Sequence, residues 1–457
     1  MMAGASEETL AVPARRGGGW SRLGLVLRAR DDWLETFGEE AYEAPFLEQR
    51  LLWRRNLVIN DPAAVKQVLL DNAANYGKTA IARRLLEPGL GKGLITMEGE
   101  NWRRHRRILA PSFDHQRIAA YAPMMLAAAD AVLADWDRRP DGAVVDMAQQ
   151  MNRMALAIIA RTMFSLGPDA LAHDVAQAVR VYQEKLRPSL LDLLGLPEWL
   201  PRLRQQWGAR RSLSGFHAAI ERIIAARRER PGGGRQDLLW RLLAARDDEG
   251  RGLTGTEVHD HVVTILMAGH ETVSVALAWT WYLLARHPRE EARLHAELDG
   301  VLAGRAPGHD DLARLSYTRM VLEESMRLYP PAHTMSRVAL GDDVLCGRRV
   351  RKGTVLLILP WLLHRHRRLW ERPERFEPER FHPDRAEARP RFAYIPFGAG
   401  PRICIGAAFA MTEAMLTLAR LAQRYRARLV PGHPVEPHGL ITLRARHGIR
   451  MVLERRA

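Results

Sequence analysis

The ten residues Phe397-Gly398-Ala399-Gly400-Pro401-Arg402-Ile403-Cys404-Ile405-Gly406 constrain this chain more than any other segment. One cysteine, Cys404, follows a glycine-rich loop and directly precedes an apolar, helix-forming run from Ala407 to Leu421. A sulfur there sits at a helix N-terminus, where the macrodipole and unpaired backbone N–H groups favour a thiolate. Gly398, Gly400 and Gly406 remove side chains where the backbone curls close to the sulfur, and positive φ is open to them. Arg402 adds a cation two residues before the sulfur. Such a loop suits an anionic sulfur that binds a metal and accepts N–H hydrogen bonds. A lone cysteine beside a turn would otherwise read as a buried structural residue.

The remainder of the chain narrows the setting. A length of 457 residues suggests two or three domains, but no composition break resembles a linker and no repeat is visible. One large fold over 20–457 after a flexible tail at 1–19 is the expectation. Cys346 and Cys404 are the only cysteines, so no disulfide framework supports the fold and a reducing compartment follows. Cys346 lies in Leu345-Cys346-Gly347, which reads as a strand turn. The net charge of +15 raises a nucleic-acid partner, yet lysine occupies only five positions and the arginines are scattered without interleaved aromatics. Nucleic acid is therefore excluded, and a basic face for an acidic protein partner fits better. The N-terminus carries Glu7, Glu8, Arg15 and Arg16, so it reads as neither signal peptide nor anchor. Val262 to Ala285 is apolar and long enough to span a bilayer, but Gly269-His270-Glu271-Thr272 interrupts it. A buried core helix, no transmembrane segment and a cytoplasmic location are expected.

Along the chain, Phe46 to Leu52 and Asn56 to Asn60 read as a hairpin, followed by a helix with Asp61 as N-cap and Pro62 in its first turn. Helical spacing then recurs at Met124 to Trp136, Met147 to Phe164, Leu171 to Leu186, Leu213 to Arg227 and Glu257 to Arg286. Beyond Pro330, Val338 to Leu345 and Thr354 to Leu359 are strand-like, and Ile441 to Leu443 with Arg450 to Leu453 suggests a final hairpin. The fold class is mainly α with a smaller β portion.

Several further constellations bear on chemistry. Glu324-Ser325-Met326-Arg327 places a carboxylate and a guanidinium at i and i+3 before Leu328-Tyr329-Pro330-Pro331. Ala268-Gly269-His270-Glu271-Thr272 sets an acid beside an alcohol midway along the apolar helix, with a glycine and a threonine that weaken its regular hydrogen bonding. Trp102 and Arg106 share a face at i and i+4 on a short helix after Glu98-Gly99. Taken alone, each also fits a bland role: an exposed ion pair, a polar break in a core helix, a solvated basic face.

Together with Phe397, the glycines, Arg402 and Cys404, these motifs closely resemble the cytochrome P-450 family, soluble bacterial type. The resemblance runs from Gly99-Glu100-Asn101-Trp102 to Leu440-Ile441-Thr442-Leu443-Arg444 without departure at key positions. It implies the P-450 fold as a single large haem domain, with haem b (iron protoporphyrin IX) bound through iron to Cys404. Phe397, Gly398, Ala268 and Gly269 would contact the haem, and Trp102, Arg106, Arg337 and Arg402 would bind its propionates. Glu324, Arg327 and Arg380, the last from the meander Pro373 to Phe381, would form a structural triad that locks the cysteine loop. Thr272 and Glu271 would deliver protons, with Glu271 linked to solvent. Ala332, His333, Thr334, Met335, Leu440 and Ile441 would border the substrate, together with parts of roughly 75–97 and 170–215, where Leu190 to Leu196 suits a lid.

The implied activity is a monooxygenase that inserts one oxygen atom from O2 into a lipophilic small molecule, by hydroxylation or epoxidation. Electrons would come from NAD(P)H through a separate ferredoxin and ferredoxin reductase or a flavodoxin-type reductase. Rival readings are a peroxide-using or non-oxygenating haem-thiolate enzyme and a non-catalytic haem sensor. The retained acid–alcohol pair argues against both.

Overall fold

The computed structural model describes residues 31–51, 54–166, 203–229, 237–247 and 249–456, together with Leu10 and Val12. The expected helix at Leu171 to Leu186, the lid at Leu190 to Leu196 and nearly all of the 1–19 tail lie outside the described residues.

Among the described residues helices dominate, and their limits follow local capping chemistry. The longer ones are α1 (Ala80–Leu90), α2 (Gly99–Leu109), α3 (His115–Asp137), α4 (Met147–Phe164) and α5 (Leu203–Glu229). They continue with α6 (Gly255–Arg286), α7 (Pro288–Leu302), α8 (Ser316–Leu328) and α9 (Ala407–Ala422). Asp146 caps α4 by accepting from Ala148 and Gln149, and Ser165 ends it in the left-handed region at φ 50°. Thr254 and Glu257 form a reciprocal capping box at the start of α6. Gly99 opens α2 with φ 63°, a conformation glycine adopts without steric cost.

Helix α6 forms the axis of the core. It packs along α4, while α9 packs along α3, and α8 closes against both α6 and α9. Both α3 and α6 are long and apolar enough to cross a membrane by length and composition. In α6, however, 83% of the apolar window is buried inside the protein, which accounts for its apolarity as core packing.

The β portion lies to one side. β1 (Phe46–Leu51) and β2 (Arg54–Ile59) form the expected antiparallel hairpin, and Asp61 caps the short helix Pro62–Lys66 that follows. β3 (Tyr76–Gly77), β5 (Met335–Ala339) and β8 (Val355–Ile358) extend that sheet in the order β1-β2-β8-β5-β3. β4 (Val144–Asp146) belongs to a second sheet. The expected strand at Val338 to Leu345 is split: a turn separates β5 from β6 (Asp343–Leu345), which pairs with β7 (Arg348–Val350). Cys346 occupies the β6–β7 turn at φ 48°.

The expected final hairpin is corrected by the pairing. β11 (Leu443–Ala445) pairs with β10 (Pro437–Gly439), whereas β12 (Arg450–Arg455) inserts between β4 and β9 (Tyr425–Leu429). Strand partners far apart in sequence thus outcompete the near one, because β12 buries Met451 and Leu453 against the helical core.

Candidate active site

The cysteine loop is shaped by two left-handed glycines and one close approach. Gly398 and Gly400 have φ of 72° and 68°. A Cβ on Gly400 would lie 1.8 Å from the Leu69 carbonyl oxygen, so no larger residue fits. The Cys404 N–H donates to the Phe397 carbonyl at 2.9 Å, folding the loop over the sulfur. Gly406, two residues on, is the N-cap of α9, with φ −93° rather than a positive value. Cys404 is exposed and lines a cavity. Burial pushes its thiol pKa up, while the Gly406 N–H and the Arg106 charge pull it down.

That cavity has a volume of ≈ 470 Å³. Its walls are mainly apolar among the described residues, with Leu86, Leu94, Ile95, Ile265, Val273, Leu322 and Met326 prominent. Helix α6 contributes Ala268, Gly269 and Thr272, and the loop contributes Phe397 and Gly398. A Cβ at Gly269 would lie 2.7 Å from Ile159 Cδ1, so this glycine lets α6 approach α4. The expected weakening of the helix is not seen: α6 runs unbroken from Gly255 to Arg286. The Thr272 hydroxyl donates to the Ala268 carbonyl at 2.9 Å, a back-bond to the preceding turn that leaves the helical course intact.

A cluster of cations meets at one end of the cavity. Trp102, Arg106, Arg337 and Arg402 all line it, as expected, and Lys78 joins them. Arg402 stacks its guanidinium 4.4 Å from the Trp102 ring centre and donates to the Met97 carbonyl at 3.1 Å. Burial, with Arg402 nearby, lowers the Arg337 pKa to about 10. Burial, then Arg337 and Arg402, lowers that of Lys78 to about 7, against a partial pull upward from Glu98. Gathering buried like charges is costly unless an anion completes the site. A carboxylate-bearing macrocycle meets that requirement, and the residues present fit a haem that Cys404 would hold. Lys78 was missed by motif reading; its only signal was rarity, as one of five lysines in an arginine-rich chain.

Glu324, Arg327 and Arg380 come together behind the α8 wall. Arg327 holds Glu324 through Nε at 2.6 Å and Nη2 at 2.7 Å. It also donates to the carbonyls of His364, Pro373 and Arg375, so every guanidinium N–H direction is used. Glu324 accepts from the Glu377 N–H as well, at 2.9 Å. Arg380 sits less tightly. Its Nε lies 3.3 Å from Glu324 without hydrogen-bond alignment, and its firmer partners are the Arg372 carbonyl and Glu377.

Other expected site residues do not reach the cavity. Ala332, Thr334 and Met335 line it, but His333, Leu440 and Ile441 do not. His333 is turned away because its ring Nε2 pairs with the Leu440 carbonyl at 2.8 Å, and Ile441 packs on the core. Glu271 also faces away from the cavity. Its carboxylate accepts from Thr442 Oγ1 at 2.5 Å and Arg444 Nε at 2.8 Å.

Comparison with known proteins decides the family. The cytochrome P450 family model matches residues 23–443. The chain belongs to the cytochrome P450 family. This P450 is 39% identical to cyclooctatin synthase of Streptomyces melanosporofaciens, over 86% of this chain and 85% of that protein. It is 36% identical to pentalenene oxygenase of Streptomyces avermitilis, over 86% and 87% of the two chains. The crystal structure of the cytochrome P450DA heme domain superposes with a TM-score of 0.82 at 26% identity, covering 98% of each chain. The P450 fold and a monooxygenase activity follow, with haem iron as the family's cofactor.

Proposed function

We propose that this P450 inserts one oxygen atom of O2 into a hydrocarbon-rich terpene, by hydroxylation or epoxidation. The observation that carries the reading is the apolar cavity of ≈ 470 Å³ that joins the Cys404 sulfur to the α6 wall at Thr272. The names of the Streptomyces relatives support the terpene class. A soluble ferredoxin and its reductase, or a flavodoxin-type protein, would pass electrons from NAD(P)H in the cytoplasm.

When bound, haem b supplies the redox chemistry and the activation of O2. Cys404 Sγ would hold its iron, and the Gly406 N–H would moderate the sulfur's charge. Arg106, Arg337, Arg402 and Lys78 would neutralise the two propionates, and the Trp102 indole N–H would help orient the ring. Phe397, Gly398, Ala268 and Gly269 would pack against it. The apolar walls exclude water and leave a substrate to be held by shape. The Thr272 hydroxyl would pass protons inward after releasing the Ala268 carbonyl, and Glu271 would replenish them. The triad of Glu324, Arg327 and Arg380 would hold the cysteine loop and take no part in proton transfer.

The test combines spectra and products. Reduced protein with carbon monoxide should show the red-shifted Soret band of thiolate ligation, lost in Cys404→Ala and kept in Cys346→Ala. Cyclic terpenes should shift the spin state and increase NAD(P)H consumption with surrogate partners. Isotopically labelled O2 should place its label in the product; label arriving from water instead would sink the reading.

A further inference from the structure

Helices α4 and α6 wall two separate spaces. Ile159 and Thr272 line the cavity at Cys404, whereas Asn152 and Ser274 face a second cavity of ≈ 360 Å³. Successive helical residues point about 100° apart, so one pair of helices can serve both. The chain from β11 to Ile449 closes the second cavity.

The floor of this second cavity is apolar. Val275, Ala278 and Trp279 come from α6, and Ile449 joins them, all four buried. The Trp279 indole N–H is already spent on the Leu443 carbonyl at 2.8 Å, so it offers the space no donor. The rim is polar: Asn152 Nδ2 and Ser274 Oγ lie 3.5 Å apart, and exposed Gln149 and Arg153 stand at the mouth.

Charge at this rim is one-sided. Among the described residues no acid lines the cavity. Nearby Asp146 is engaged by the N–H groups of Ala148 at 3.0 Å and Ile449 at 3.2 Å. Arg444 gives Nε and Nη2 to the buried Glu271 carboxylate and keeps Nη1 for the cavity. Arg153 has no hydrogen-bond or ion-pair partner among the described residues, whereas Arg139, Arg420 and Arg424 each hold an aspartate. Because Glu271 offsets Arg444, the site is left with one uncompensated cation. A single negative charge balances it, and the apolar floor asks for a hydrocarbon tail.

We propose that the second cavity is a binding site for an amphipathic monocarboxylate, an aliphatic acid of medium chain length. The carboxylate pairs with Arg153 and with Arg444 Nη1, and the Gln149 and Asn152 amides add neutral donors. The tail lies on Val275, Ala278 and Ile449. The volume falls at the small end of the ~300–1,000 Å³ of ligand sites, which suits one short tail. Nothing in this inference depends on oxygenation at the Cys404 cavity.

The experiment uses haem-loaded protein whose Cys404 cavity is blocked by an iron-binding azole, leaving the second cavity open to the probe. Isothermal titration calorimetry at constant ionic strength measures decanoate, with decanol as the same tail lacking the charge. Wild type is compared with Arg153→Gln, Arg153→Lys and Ala148→Leu; the last fills the cavity without touching a charge. Wild type should bind one decanoate, and decanol about tenfold more weakly. Arg153→Gln should weaken decanoate about tenfold and leave decanol unchanged, which also shows that the cavity has kept its shape. Arg153→Lys should recover most of the loss, and Ala148→Leu should weaken both probes. Equal decanoate affinity in wild type and Arg153→Gln, or in wild type and Ala148→Leu, would overturn the site. Several equivalents of decanoate bound with no preference over decanol would mean surface adsorption and overturn it too, as would no binding to the blocked wild type.

Discussion

Two glutamate–arginine pairs stand one layer behind the cavity walls, and their surroundings differ. Glu324 and Arg327, behind the α8 wall, are wholly sequestered, and every N–H direction of the guanidinium has an acceptor. Glu271 and Arg444, behind the α6 wall, include a cation that is 28% exposed at the edge of a second cavity. A buried pair without access to water has no way to exchange partners, so it fixes geometry. A pair whose cation reaches the surface can trade that partner for solvent. The number of alternative partners within reach separates a fixed clamp from a replaceable contact.

The most severe way to break this comparison is Arg327→Ala. It strands the Glu324 carboxylate and three carbonyls, and breaking such a buried pair costs about 3–5 kcal/mol. The variant should lose haem and melt far below wild type; near-normal haem content would show that the pair is no clamp. Arg380→Ala should be milder than Arg327→Ala, because its Nε makes no aligned bond to Glu324. Equal melting losses in the two variants would mean that alignment does not matter there.

Thr272→Ala addresses the other wall. Haem content and terpene-induced spectral shifts should persist, while product per NAD(P)H falls about tenfold as electrons drain to peroxide. Unchanged coupling would place proton delivery elsewhere. A smaller effect is expected from acid. Burial, with His105 adding, lowers the His261 pKa to about 4 on α6, so this ring is neutral in the folded state. Below about pH 6.5 the unfolded chain takes up a proton that the folded ring refuses, and stability declines until about pH 4. The loss is on the order of 1–3 kcal/mol, and His261→Asn should flatten the dependence of melting temperature on pH in that window. The smallest change is expected for Lys78→Ala, which should speed haem transfer to an acceptor protein severalfold while leaving the carbon monoxide band in place. An unchanged transfer rate would remove Lys78 from the cation cluster.

Legibility in the sequence followed the range of each interaction. The limits of α4 were readable to the residue because Asp146 and Ser165 cap it locally. The Phe46 hairpin was readable because its strands are adjacent. His333 was misplaced because the preference of its ring for the Leu440 carbonyl depends on a segment more than a hundred residues away. The second role of Gly269 was not readable for the same reason: the atom it makes room for is on α4, not on its own helix.

By itself the sequence determined the cysteine loop, the limits of α4 and the i, i+3 carboxylate–guanidinium pair on α8, because backbone period and capping geometry set which near neighbours can meet. Only the tertiary structure decided that β12 joins β4 and β9, that Lys78 meets Arg337 and Arg402, and that Glu271 turns to Thr442 and Arg444. Those contacts join residues separated by long stretches of chain. They form only where packing of the whole core repays the entropy of closing such loops, a balance that no local spacing records.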